Sequence, residues 1–126
     1  MNTLDLAKQG PVIPVIVINK VEDAVPMAEA LLAGGIRVLE VTLRSSCALQ
    51  AMEQIAKHVP DAIMGSGTVR NMKDAQASLD VGCKFAVSPG IPANWVSLHV
   101  KSVCPCCQAF RLAARLCKPM PMIITF

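Results

Sequence analysis

An α/β fold built on a parallel sheet is predicted by three features of this 126-residue sequence. Short runs of β-branched residues are apolar on both faces. Segments with apolar residues at three- and four-residue spacing lie between them, and glycine or proline marks most of the changes from one to the other. A strand apolar on both faces belongs to a sheet covered on both sides. Its alternation with helical segments requires right-handed crossover connections.

The first run, Val12 to Ile18, contains Pro14, which cannot donate to a ladder and so favours an early or edge position. From Asp23 to Leu32 the positions Ala24, Met27, Ala28, Leu31 and Leu32 repeat helically, Pro26 suits the first turn, and Gly34-Gly35 closes the helix. Val38 to Leu43 is the second strand. Ser46 is the expected N-cap of a helix carrying Leu49, Met52, Ile55, Ala56 and Val59, with Pro60 just beyond it. Ala62 to Met64 is the third strand, opening into a turn at Gly65-Ser66-Gly67-Thr68. Asn71 caps a third helix that has Ala75 and Leu79 on its inner face and ends at Gly82. Phe85 to Val87 is the fourth strand, closed by Ser88-Pro89-Gly90. The strand–helix unit recurs four times at about twenty-five residues, which fits either a doubly wound open sheet or half of a (β/α)8 barrel, whose full length is ~250 residues. Periodicity does not choose between them.

Composition narrows the function classes. At 53% hydrophobic, 3% aromatic and 17% charged, the chain is globular rather than disordered. A net charge of +3 is too small and too scattered to suggest a nucleic-acid surface, so no nucleic-acid partner is expected. No apolar run reaches the ~18 residues of a membrane helix. Met1 to Gln9, with Asp5 and Lys8, lacks the apolar centre of a secretory signal, so no membrane partner and a cytoplasmic location are expected.

Strand two carries the chemistry. Side chains alternate along a strand, so Leu39, Val41 and Leu43 share one face and Val38, Glu40, Thr42 and Arg44 the other. The first set belongs against covering helices. The second lines up a carboxylate, a hydroxyl and a guanidinium, groups that must be satisfied by one another, by water or by a ligand. A structural Glu40–Arg44 pair would have to span ~13 Å between Cα atoms, a poor way to neutralise a buried charge. A ligand site is favoured, because parallel α/β folds place their sites at the C-terminal ends of strands. At the same rim, Gly65-Ser66-Gly67-Thr68 permits close backbone approach and offers a hydroxyl and an amide to an anion, although such a turn is as often structural. It matches neither the P-loop nor the dinucleotide fingerprint.

The segment Gly35-Ile36-Arg37-Val38-Leu39-Glu40-Val41-Thr42-Leu43-Arg44 resembles the first active-site motif of the 2-keto-3-deoxy-6-phosphogluconate (KDPG) and 4-hydroxy-2-oxoglutarate (KHG) aldolases. Pro11 to Ile16, Gly65 to Val69 and Phe85 to Gly90 agree in family order, so the resemblance runs from about residue 10 to residue 91. It implies a (β/α)8 TIM barrel, of which this chain holds the first four β/α units, and a cytoplasmic, usually trimeric enzyme. It implies cleavage of the phosphorylated sugar acid to pyruvate and glyceraldehyde 3-phosphate, or of 4-hydroxy-2-oxoglutarate to pyruvate and glyoxylate. A lysine Schiff base serves as electron sink in that chemistry, with no cofactor and no metal. By the same resemblance Glu40 is the proton carrier, and Arg44 and Thr68 hold the pyruvate carboxylate.

The resemblance fades after residue 91. No lysine here lies in a segment like the family's Lys-Phe-Phe-Pro-Ala, and the family's phosphate-binding glycines and serine are not matched. Residues 92–126 contain no Gly, Asp or Glu but four of the six cysteines. They are read as an aberrant, out-of-frame tail, with helical stretches between Leu98 and Leu116. A metal site from His99, Cys104, Cys106, Cys107 and Cys117 is disfavoured by spacing, and a disulfide framework by the absence of an export signal. The expectation is therefore an aldolase lineage without aldolase activity in these 126 residues, with strands one and four left as unpaired edges. The alternative is a non-enzymatic fragment that binds a 2-keto acid or joins full-length subunits.

Overall fold

The computed structural model describes residues 3–89 and 122–125. A short helix α1 (Thr3–Ala7) precedes strand β1 (Val15–Ile16). A 3-10 turn at Val21–Asp23 then leads into α2 (Ala24–Ala33), β2 (Val38–Thr42), α3 (Ala48–His58), β3 (Ile63–Gly67), α4 (Met72–Asp80) and β4 (Phe85–Ser88). Strands β1 to β4 are parallel and adjacent in sequence order. Sequential order with every crossover repeating the last is the arrangement of a barrel segment, whereas a doubly wound sheet reverses its order part-way. The lengths of helix and strand follow the predicted pattern, although β1 is far shorter than the Val12–Ile18 run.

A fifth strand, β5 (Met122–Thr125), pairs antiparallel with β4, from Phe85 opposite Thr125 to Ser88 opposite Met122. The expectation of an unpaired edge on strand four is corrected by this pairing. The segment Met122 to Thr125 is apolar and β-branched, as strands are, but nothing local specifies the partner. The expected helical stretches between Leu98 and Leu116 and the His99–Cys117 cluster lie outside the described residues.

One core lies between the sheet and the helices. Ile16, Leu39, Val41 and Met64 of the strands meet Ala28 of α2 and Ala51, Met52 and Ile55 of α3, all of them buried. Each large apolar side chain taken out of water there contributes about 1.5–3 kcal/mol. A second cluster, Leu6 of α1 with Val38 and Phe85, occupies the opposite side of the sheet.

Several local expectations change. Cys47, not Ser46, is the N-cap of α3, and its side chain makes no capping bond; the Cys47 thiol instead reaches the Ile18 carbonyl at 3.2 Å. The buried face of α3 is Ala48, Ala51, Met52 and Ile55, so Leu49 and Ala56 lie outside it. In α4 the buried residues are Ala75 and Ser78, and Leu79 is exposed. The Asn71 cap is as predicted: its Oδ1 accepts from the Asp74 amide at 2.9 Å. Among the described residues no helix is long and apolar enough to cross a membrane.

Candidate active site

The alternation read along strand two divides its side chains in the fold. Leu39 and Val41 enter the core with the helices, while Val38 joins the cluster on the other side of the sheet. On that inner side Glu40 is buried, at 8% exposure. Among the described residues it makes no ion pair and no hydrogen bond through its carboxyl group. Desolvation by burial raises its pKa above the ordinary 4.5, and the Arg44 charge partly offsets this.

Register explains where the carboxyl group lies. Glu40 is paired with Val15 on β1 and Gly65 on β3. Its side chain leans diagonally towards Gly67, two positions nearer the C-terminal rim. A Cβ built on Gly67 would lie 3.0 Å from Glu40 Cδ and would overlap Oε1. A Cβ on Gly65 would overlap the ring of Phe85. Gly65, Ser66 and Gly67 are therefore strand residues and not the predicted turn: glycine is there because side chains from β2 and β4 cross the strand at those points. Ser66 points the other way. Among the described residues its buried hydroxyl has no hydrogen-bond partner; it acts on Cys83, whose thiol burial pushes up to about 12.

At the rim, just beyond β2, Arg44 Nε donates to Thr68 Oγ1 at 3.3 Å. The bond is exposed, and it uses one of the five guanidinium donors. Thr68 has φ of 62°, the left-handed region that a β-branched residue rarely enters. The strand is held on both sides of this strained residue, because Leu43 N donates to Gly67 O at 2.9 Å and Val69 N to Val87 O at 3.1 Å. Thr42, the middle member of the predicted row, is occupied structurally: its hydroxyl donates to the Ile16 carbonyl at 3.1 Å and ties β2 to β1.

Arg44 is bonded to Thr68 and its charge acts on the buried Glu40, so the three residues belong to one end of the sheet. Such a set can bind a carboxylate and exchange a proton beside it. Three features were not read from the sequence: the strain at Thr68, the use of the Thr42 hydroxyl, and the contact between Gly67 and Glu40. The shallow cleft between α3 and α4, lined by Leu43, Ser45, Ser46, Leu49, Arg70 and Lys73, includes none of the three site residues.

Residues 4–117 match the family model described as KDPG and KHG aldolase. The chain belongs to that family. A 2-dehydro-3-deoxy-phosphogluconate aldolase of Dickeya dadantii is 60% identical over 82 residues, which are 65% of this chain and 38% of the relative. A KDPG aldolase of Zymomonas mobilis, solved with 3-phosphoglycerate, superimposes with a TM-score of 0.67 at 51% identity, over 71% of this chain and 43% of that one. A KDPG aldolase of Legionella pneumophila, solved with pyruvate captured as a covalent carbinolamine intermediate, gives 0.72 at 37% identity, over 86% and 56%. The chain spans about two fifths of the length of the curated relatives it matches. These KDPG aldolases are TIM barrels, and four consecutive parallel strands of this sheet form the corresponding part.

Proposed function

We propose that the inner face of β2 and the end of β3 form one side of a 2-keto acid site of the Schiff-base aldolase type. Arg44 and Thr68 hold the substrate carboxylate, and Glu40 carries the proton that leaves the C4 hydroxyl as the C–C bond breaks. The substrate is 2-keto-3-deoxy-6-phosphogluconate, giving pyruvate and glyceraldehyde 3-phosphate, or 4-hydroxy-2-oxoglutarate, giving pyruvate and glyoxylate. The observation that carries this reading is the buried Glu40 carboxyl group, without an ion pair among the described residues, on the strand face that ends in the Arg44–Thr68 pair. A structural acid at such a depth would be expected to have a partner.

The reaction also needs an amine to form the iminium. Of the seven lysines, Lys84 immediately precedes β4, at the end opposite the rim; Lys57 and Lys73 are on the exposed sides of α3 and α4. None lies in a segment like the family's Schiff-base motif. These 126 residues are accordingly proposed to bind the keto acid without turning it over. A second reading, association with a full-length relative, is favoured by the end position of β1 in the sheet and by the exposure of Val15 and Val17.

Pyruvate titration of the wild type and of Arg44→Ala tests the site. Loss of a charge-assisted pair worth about 1.5–3 kcal/mol predicts binding weakened tenfold or more. Equal binding by both proteins refutes the carboxylate role. Borohydride reduction with pyruvate and mass spectrometry should leave every lysine unmodified, and a reduced adduct would place the missing amine within these residues.

A further inference from the structure

The two glycines of β3 resemble each other in sequence but not in what opposes them. Gly65 lies under the ring of Phe85, which is fully buried and fixed by the Leu6–Val38 cluster. Gly67 lies under the tip of Glu40: its absent Cβ would meet Oε1, Cδ at 3.0 Å and Cγ at 3.1 Å. Gly67 is outside the left-handed region, so its backbone does not itself require glycine. We propose that Gly67 is a positioning residue: the missing side chain leaves the space in which the Glu40 carboxyl group is held against the end of β3.

The consequence is specific. An added methyl group at Gly67 collides with the far end of a flexible side chain, not with backbone or a packed ring. The fold can accommodate it by rotating Glu40, and rotation takes the carboxyl group away from the end of β3 and out of its buried place. At Gly65 the same methyl group meets an aromatic ring with nowhere to go. The Gly67 substitution therefore moves the acid while the Gly65 substitution damages the core. This geometry is independent of whether a 2-keto acid binds, so it can fail while the proposed function stands, and the reverse.

The experiment follows the titration of Glu40 in the 126-residue chain labelled with 13C at the glutamate carboxyl groups. The chain has three other glutamates, Glu22, Glu29 and Glu53, so Glu40→Gln identifies the Glu40 signal. Arg44 is the charged group acting on Glu40 among the described residues. The facing positions on β1, β3 and β4, namely Val15, Gly65, Gly67, Phe85 and Val87, carry no charge. In the wild type Glu40 titrates above the ordinary glutamate value of 4.5. In Gly67→Ala its midpoint moves down towards 4.5 while the protein remains folded. A folded Gly67→Ala protein whose Glu40 midpoint is unchanged or raised overturns the proposal. If Gly67→Ala instead fails to fold, addition of Glu40→Ala removes the colliding atoms: recovery of the fold supports the proposal, and no recovery overturns it.

Discussion

Leu39 and Glu40 are neighbours on one strand and face opposite sides of the same sheet, and they are buried for different reasons. Leu39 is enclosed by apolar side chains from β1, β3, α2 and α3, each of which gains by excluding water. Glu40 is buried against the end of β3, and among the described residues nothing neutralises it except the partial effect of Arg44. One face holds the fold together. The other gives up stability at its C-terminal end, while its opposite end is plugged by Leu6, Val38 and Phe85. The contrast teaches that burial alone does not identify a stabilising residue; what surrounds the group decides the sign.

Three substitutions test that contrast. Leu39→Ala opens a cavity in the closed core and should destabilise the chain by about 2–5 kcal/mol, measured by urea unfolding. A loss near zero would mean that the helical layer does not pack on β2 as described. Gly65→Ala forces Phe85 aside and should cost about 1–3 kcal/mol in the same assay. An unchanged midpoint would show that the ring does not cross the strand there. Glu40→Gln has the smallest effect and the opposite sign. Because burial raises the Glu40 value above 4.5, the folded state holds its proton more tightly than the unfolded state. Wild-type stability from this group is complete below pH 4.5 and is lost as pH rises through the raised folded value. Glu40→Gln, which does not titrate, should therefore match the wild type in acid and exceed it at neutral pH. Unfolding curves across pH 4 to 8 that show no such divergence contradict the burial of an unneutralised acid.

The parts legible in the sequence were those governed by short-range period. Alternation along β2 separates Leu39 and Val41 from Glu40 because a strand repeats every two residues. The Asn71 cap is legible because its Asp74 partner lies three residues on, within one turn. What depends on objects distant in sequence was not legible. Gly-Ser-Gly reads locally as a turn, and only Phe85 and Glu40 crossing the strand explain glycine inside β3. Leu49 and Leu79 read as core residues by spacing, yet each helix is rotated so that small side chains, Ala48 and Ala51 in α3 and Ala75 in α4, take the contact instead. The β4–β5 pairing joins residues separated by more than thirty positions, and no local pattern specifies such a partner. For the site, the residue types were legible from the β2 motif and its resemblance to a family. The strain at Thr68 and the depth of Glu40 arise from contacts between strands, which no local pattern encodes.

The account rests on the inner face of β2 meeting a keto acid at the rim, and a crystal structure of the chain with pyruvate tests this most directly. The predicted result is the pyruvate carboxylate between the Arg44 guanidinium and Thr68, with the keto end towards the Glu40 carboxyl group. Pyruvate bound elsewhere, or Glu40 and Arg44 turned towards the helices, would contradict it.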